Sequence, residues 1–224
     1  MTGVRRTTVT AALALLAGAL SLAFEGSVSA NGTAQLRPLA VADGVTLRAR
    51  PTVVSVATGT RVTLFGSIDP GRAGEDIKIQ AKDCGLDFFR VVAGAITKEG
   101  GEWSTFYFGA SVNTTLRAVW RDAISDEVAI RRRATIIIRK RTAKRFEVAV
   151  GGAVWRKRAS VQRFDPRLGT WSVVRSVVLA DDYGLGARAT FTLVVPKGTL
   201  VRAVFPRSQA GPCYLPGTSN SLRT

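Results

Sequence analysis

Two cysteines, Cys84 and Cys213, are the residues of this sequence best suited to forming a covalent bond. Thiols pair as disulfides in oxidising compartments, provided that their Cα atoms approach within about 7 Å. Cys84 lies at a predicted hairpin tip, Asp83-Cys84-Gly85, and Cys213 lies far along the chain in Pro212-Cys213-Tyr214. The sequence leaves two outcomes open: one disulfide that joins the two halves of the chain, or two separate thiols that pair between chains.

Basic residues are concentrated between positions 131 and 158. The whole chain has 32 Lys and Arg against 16 Asp and Glu, a formal net charge of +16. Dense positive charge attracts polyanions such as anionic cell-wall polymers, although a solvated, Arg-rich strand surface is the simpler alternative. Nucleic acid is not expected, because no aromatic stacking platform interleaves the basic residues. The candidate polyanion-binding residues are Arg131, Arg132, Arg133, Arg139, Lys140, Arg141, Lys144, Arg145, Arg156, Lys157 and Arg158.

The complete absence of histidine narrows the possible chemistry. It excludes a histidine-dependent triad and a zinc site built on imidazole. Most acidic residues lie in turns, and neighbours such as Asp126-Glu127 point to opposite faces of a strand. A glycosidase needs two carboxylates that face each other across a cleft. We therefore expect no enzyme activity, no catalytic or metal-binding residue and no cofactor.

The first thirty residues have the composition of a secretory signal peptide. Arg5 and Arg6 precede an apolar stretch at residues 9–24, and Val28-Ser29-Ala30 offers a cleavage site. The alternative is an uncleaved anchor, but the apolar stretch is shorter than the roughly 20 residues that span a bilayer. We predict a signal peptide helix at residues 1–30, a flexible segment at 31–44 and no membrane span after cleavage. The expected location is extracellular, including association with the cell wall.

The strand pattern dominates the rest of the chain. In Ile77-Lys78-Ile79-Gln80-Ala81-Lys82 the apolar residues occupy every second position, as they do in residues 146–150 and 190–195. This period of two is typical of half-buried antiparallel strands. Turn residues such as Asp69-Pro70-Gly71 and Asp165-Pro166 separate the alternating stretches. The sequence therefore predicts an all-β fold.

The strand pattern also occurs twice. Ile77-Lys78-Ile79-Gln80 is echoed by Ala159-Ser160-Val161-Gln162, and Arg117-Ala118-Val119-Trp120 is echoed by Arg202-Ala203-Val204-Phe205. Each copy spans about 90 residues, which is the size of one small β-sandwich. A single larger barrel or sandwich remains the alternative. We predict two tandem antiparallel β-sandwich domains at residues 45–133 and 134–224.

A resemblance to a known family rests on these motifs. Residues 66–80, GSIDPGRAGEDIKIQ, together with Gly101-Glu102-Trp103 and residues 115–120, resemble secreted bacterial Ig-like β-sandwich repeats of the actinobacterial type. Residues 170–174 and 199–205 carry the corresponding motifs in the second copy. The resemblance implies an extracellular module used as a spacer, stalk or adhesive unit. The expected partner is an anionic cell-wall polymer, from the basic residues, or another surface protein. The resemblance implies nothing about the oligomeric state.

Overall fold

The structure, a computed structural model, consists mainly of β-strands. It describes four stretches of the chain: residues 44–55, 60–152, 154–181 and 186–224. The predicted signal peptide lies outside these residues, and so does the predicted flexible segment except for Gly44. Within the four stretches, no helix combines the length and the apolar character that crossing a membrane requires.

The first half of the described chain forms two sheets. Its strands are β1 (Gly44–Val45), β2 (Arg48–Arg50), β3 (Val53–Val54), β4 (Arg61–Asp69), β5 (Asp76–Asp83), β6 (Arg90–Ile96), β7 (Glu102–Phe108), β8 (Thr114–Trp120), β9 (Ala123–Ile124) and β10 (Val128–Arg132). In one sheet β4 pairs with β1, β2 and β7. In the other the order is β3-β10-β8-β5-β6, with β9 beside β8, and β3 runs parallel to β10. A short 3-10 helix, Glu99–Gly101, precedes β7.

The second half repeats this plan. Its strands are β11 (Ile136–Lys140), β12 (Arg145–Gly151), β13 (Arg158–Asp165), β14 (Thr170–Val178), β15 (Ala180–Asp181), β16 (Gly186–Thr192), β17 (Leu200–Phe205), β18 (Gly217–Thr218) and β19 (Leu222–Arg223). One sheet has the order β11-β12-β16-β15, and the other has β14-β13-β17-β18 with β19 beside β17. A four-residue helix, α1 (Arg207–Ala210), lies between β17 and β18.

The alternation read from the sequence sets which side chains are buried. Ile77, Ile79 and Ala81 on β5 are almost fully buried, and so are Phe146 and Val148 on β12. Each of these residues faces the opposite sheet of its own half, because side chains along a strand alternate between its two faces. The apolar faces of the paired sheets therefore meet and exclude water from the space between them.

The buried apolar residues form two separate clusters. One contains residues from Val45 to Ile130, with Trp103 and Trp120 among its largest members. The other contains residues from Ala134 to Tyr214. Two sheets around one core, in this strand order, are the architecture of an immunoglobulin-like sandwich. The predicted fold class, all-β with two antiparallel Ig-like sandwiches in tandem, is confirmed.

Irregular details recur in both sandwiches. The pairing of β5 with β6 shifts register between Ile79 and Gln80, and the pairing of β13 with β14 shifts between Val161 and Gln162. Such bulges bend a strand and redirect its side chains. The register shift precedes a glutamine at the equivalent position of each sandwich, so the two sandwiches share this local detail as well as their strand order.

Candidate functional site

The two cysteines meet at the junction between the sandwiches. Cys84 follows β5 and Cys213 lies between α1 and β18, and the two form a disulfide with a Cα–Cα distance of 5.3 Å. The bond joins positions 129 residues apart and belongs to both halves of the chain. The structure therefore brings together the pair that the sequence left open.

Asn113 adds a set of hydrogen bonds around the disulfide. Its Nδ2 donates to the carbonyl oxygen of Pro212 (2.6 Å), and its Oδ1 accepts from the backbone N–H of Arg132 (2.8 Å). Its backbone N–H donates to the carbonyl of Cys213 (2.8 Å), and its own carbonyl accepts from the N–H of Cys84 (2.9 Å). The side chain and the backbone of a single residue therefore connect both cysteine segments.

A short backbone pairing continues the junction. Leu215 donates its N–H to the carbonyl of Arg132 (2.7 Å) and accepts from the N–H of Ala134 (3.0 Å). A guanidinium nitrogen of Arg133 donates to the carbonyl of Pro216 (3.1 Å). These bonds fix the last loop of the second sandwich against the chain that leaves β10. We call residues 84, 113, 132–134 and 212–216 the junction clamp.

The predicted basic residues do not form one patch. Arg131, Arg132 and Arg133 lie at the junction, where Nη1 of Arg132 is buried and has no hydrogen-bond partner among the described residues. Arg156, Lys157 and Arg158 are exposed at the start of β13, where the N–H of Arg158 donates to Gln209 of α1. The remaining five lie on the hairpin between β11 and β12: Arg139, Lys140, Arg141, Lys144 and Arg145.

The length of β12 separates the hairpin from the junction. Arg145 begins the strand, whereas Gly151 ends it and donates its N–H to Thr135 beside the junction. Seven residues in a strand span about 20 Å. Arg141 already has an anionic partner, because its Nη2 donates to both carboxylate oxygens of the buried Glu147, at 2.8 and 2.7 Å. Four exposed cations remain on this hairpin.

The outer side of the β4 sheet carries a surface that the sequence did not predict. We call it the Arg–Phe face, and its residues are Arg48, Arg50, Arg61, Phe65, Phe106 and Phe108. Register places Arg48 opposite Phe65, and Arg61 opposite Phe108. Residues that are directly opposite in an antiparallel pair project from the same side of the sheet. Cations and rings therefore alternate across one exposed face.

Two cations of this face lie over its rings, and one of them stacks closely. The guanidinium of Arg61 lies 3.6 Å from the ring centroid of Phe106 and 5.9 Å from that of Phe108. That of Arg50 lies 5.9 Å from the ring of Phe65. Phe106 and Phe108 remain 43% and 65% exposed, so the stack does not shield the rings from water. Large exposed apolar groups that are clustered in this way mark interaction surfaces.

A groove of about 450 Å³ borders the Arg–Phe face. Its walls include Arg48 and Phe65 together with Ser104, Glu102 and Lys98. Trp103 also lines the groove, and its indole N–H is buried with no hydrogen-bond partner among the described residues. The groove therefore offers hydroxyl, cationic and carboxylate groups beside the aromatic rings.

Two carboxylates have environments that favour their charged form. Burial of Asp83 opposes ionisation, but hydrogen bonds from Arg90 (2.7 Å) and Thr114 (2.8 Å) outweigh it and lower the pKa of Asp83. A hydrogen bond from the indole of Trp120 (3.0 Å) outweighs burial and lowers the pKa of Glu75. Both carboxylates connect neighbouring strands of the first sandwich. Among the described residues, no group of three or more Cys, Asp or Glu side chains is placed to hold a metal ion.

The comparisons with known proteins concern architecture. No protein-family model and no curated protein sequence matches the chain. The chain is similar to the crystal structure of a tetra-tandem repeat in the extending region of a large adhesion protein, with 13% identity and a TM-score of 0.43 over 81% of this chain and 49% of that one. It is also similar to a two-domain fibronectin type-III segment of chicken tenascin, with 15% identity and a TM-score of 0.40 over 81% of this chain and 99% of that one. The chain thus spans about half the length of the adhesion-protein repeat structure (49%).

Proposed function

We propose that this chain is a non-enzymatic structural module that acts outside the cell as a spacer or adhesive unit at the cell surface. The observation that carries the proposal is the Cys84–Cys213 disulfide, which links the two sandwiches covalently. Disulfides persist in oxidising extracellular compartments and are rare in the cytosol. The signal peptide predicted at residues 1–30 and the resemblance to secreted actinobacterial-type Ig-like repeats support the same location.

The junction clamp supports the structural part of this role. Two sandwiches joined by a flexible linker would reorient freely, so their relative orientation would not be fixed. Here the disulfide and the four bonds of Asn113 hold the two halves in one arrangement. A module built in this way keeps whatever it presents at a fixed distance and orientation from its attachment point.

Force measurement on the full chain, combined with fractionation, tests the proposal. When the two termini are pulled apart, the disulfide prevents the chain between Cys84 and Cys213 from extending. A Cys84→Ser, Cys213→Ser variant frees these 129 residues and should therefore extend about 450 Å further on complete unfolding. In a bacterial host with a secretion pathway, the full wild-type chain should be recovered outside the cytoplasm and resist thiol labelling before reduction. Equal extension of the two proteins, or a cytosolic chain with free thiols, would contradict the proposal.

A second candidate function is the binding of anionic cell-envelope polymers through the basic residues at 131–158. The observation that favours it is the hairpin of β11 and β12, where Arg139, Lys140, Lys144 and Arg145 are all exposed. Attraction between exposed charges fades as salt screens them. The fraction of the full chain retained on cell-wall material should therefore fall as the salt concentration rises from about 50 mM to about 500 mM. Replacing all four hairpin residues with Ser should also reduce it, and retention that neither change affects would contradict this function.

A further inference from the structure

We propose that the Arg–Phe face of the first sandwich binds a linear acidic polysaccharide whose sugar rings carry carboxylates. The surface lies outside residues 131–158 and is built by β2, β4 and β7 alone. The proposal does not depend on the structural role given above. A chain without a locked junction should keep this face, because every strand of both sheets of the first sandwich comes from the first half of the chain.

The charge of the face fits an anionic partner. Among the described residues, no carboxylate forms an ion pair with Arg48, Arg50 or Arg61. A guanidinium that stacks on a ring through its plane still presents its N–H groups at its edge, and those groups suit a carboxylate in a two-pronged contact. Arg61, stacked on Phe106, has this geometry. The guanidinium groups of this face are therefore available to bind carboxylates of a partner.

The rings of the face fit the sugar part of such a partner. The face of a pyranose ring is lined with C–H groups, which pack against the apolar face of an aromatic ring. Phe106 and Phe108 lie with their centroids 6.3 Å apart and are both substantially exposed. The rings are tilted by 52° to each other, and Arg61 covers one face of Phe106, so the more exposed Phe108 offers most of the ring surface that remains open to a sugar.

The neighbouring groove favours a hydroxylated polymer over a lipid surface. Ser67, Ser104 and Thr46 line it together with Lys98 and Glu102, so it is rich in hydrogen-bonding groups. A bilayer would take up the rings but would leave these groups in contact with headgroups or hydrocarbon. A polysaccharide that extends from the rings into the groove can bond to the hydroxyl and charged groups along its length. Anionic vesicles are the competing partner in the test below.

The second sandwich provides a control arginine without the rings. Arg167 is exposed in the turn after β13 and lies outside the basic residues at 131–158. Among the described residues, no aromatic ring lies under its guanidinium, whereas Arg61 lies over Phe106. Loss of Arg167 therefore removes the same charge as loss of Arg61 without removing a cation–ring contact. The comparison separates a specific contribution of the Arg–Phe face from the general attraction of a basic protein.

Binding of the full chain to polygalacturonate, measured by affinity electrophoresis in low and moderate salt, tests the proposal. Arg61→Ser should weaken binding about 5-fold or more, whereas Arg167→Ser should change it less than about 2-fold, because of these two arginines only Arg61 lies over exposed rings. Replacing Phe106 and Phe108 together with Leu should weaken binding about 10-fold, and replacing both with Tyr should preserve it, because Tyr keeps the ring face.

Three controls complete the test. Polyphosphate has the charge but no sugar rings, so its binding should be insensitive to the Leu and Tyr replacements. Neutral dextran should bind weakly, and phosphatidylglycerol vesicles should bind less tightly than polygalacturonate. Thermal unfolding of each variant verifies that it is folded, and the arginine pair keeps the test decisive if the Leu variant does not fold.

Several results would overturn the assignment. They are absence of polygalacturonate binding, equal loss of binding in the Arg61 and Arg167 variants, binding unchanged by the Leu replacements in a folded protein, or tighter binding to the vesicles. A failure here leaves the extension measured under force unchanged, and a failure of the force experiment leaves this binding unchanged. The two proposals can therefore fail separately.

Discussion

Arg117 and Arg202 make the same two contacts at equivalent places in the two sandwiches. Nε of Arg117 donates to Oε1 of Gln80 (2.8 Å), and Nε of Arg202 donates to Oε1 of Gln162 (2.8 Å). Each guanidinium also lies over an aromatic ring, at 3.9 Å from the Phe89 centroid for Arg117 and at 4.1 Å from the Trp171 centroid for Arg202. The repeat in the sequence therefore extends to side-chain geometry on the outer faces of both sandwiches.

This equivalence predicts matched stability effects. Arg117→Met and Arg202→Met should each lower the free energy of unfolding by about 1 kcal/mol, because each removes one charged hydrogen bond and one cation–ring contact at a partly exposed site. Urea unfolding measures both effects. Arg167→Met, at the exposed turn after β13, should leave stability within about 0.5 kcal/mol of wild type. The equivalence would be contradicted if one of the two variants, Arg117→Met or Arg202→Met, lost stability and the other did not.

The disulfide should stabilise the whole described fold. Replacing Cys84 and Cys213 with Ser should lower the free energy of unfolding by about 4–5 kcal/mol in the chain-entropy model, because the bond closes a very long loop in the unfolded chain. Urea unfolding of wild type under oxidising conditions, compared with the double variant, measures the difference. A reducing agent should not change the double variant. Identical unfolding midpoints for the oxidised and reduced wild-type chain would show that the bond does not form.

Asn113 should hold the junction clamp closed. Asn113→Ala removes the bonds to Pro212 and Arg132 and should cost about 1–3 kcal/mol, since it leaves a donor and an acceptor without their partners. Hydrogen exchange should speed up at the N–H of Leu215, whose bond to Arg132 continues the clamp. Asn220→Ala, away from the junction, should leave that exchange rate unchanged. Equal exchange at Leu215 in both variants would contradict the role assigned to Asn113.

Asp83 should make the first sandwich sensitive to acid. Its pKa in the folded state is below the ordinary value, so its charged contacts stabilise the fold fully above about pH 4, the unfolded pKa of an aspartate. That stabilisation is lost as the pH falls through the lower folded-state pKa. Asp83→Asn should therefore reduce stability at pH 7 and flatten the decline in acid, as measured by urea unfolding between pH 7 and pH 2.

The neighbouring Asp87 provides the control for that experiment. Asp87 is exposed, and it forms no ion pair within the described part of the chain. Asp87→Asn should therefore retain both the stability at neutral pH and the decline in acid. If Asp83→Asn declines in acid as steeply as Asp87→Asn does, the charged contacts of Asp83 do not carry this dependence.

The sequence predicts the fold well because burial follows local alternation. The pattern around Ile77 and Ile79 identifies which face of β5 is buried without knowledge of its partner strands. Glu147 is an exception to this alternation. It lies on the outer face of β12 and is nevertheless buried, because Arg141 folds over it from the turn before the strand. Alternation cannot predict that contact, since it depends on how the hairpin closes.

The two proposed binding surfaces are harder to predict because they depend on pairing between distant strands. The basic residues at 131–158 are close in sequence, but the length of β12 places them at separate ends of the second sandwich. The Arg–Phe face has the opposite property, since Arg61 and Phe106 are far apart in sequence and become neighbours through the register of β4 with β7. The alternation of Phe106 and Phe108 was a usable signal. It was ambiguous, because Trp103 and Tyr107 place aromatic residues on the buried face of the same strand.

Peptide mapping without reduction tests the central claim, the covalent link between the two sandwiches, most directly. Trypsin cuts at the many Arg and Lys residues between the cysteines, so the Cys84 and Cys213 peptides separate unless a disulfide joins them. The structure predicts one joined species from the monomeric protein, which reduction splits into those two peptides. Recovery of both peptides with alkylated thiols, or of Cys84 joined to Cys84 of another chain, would contradict the account.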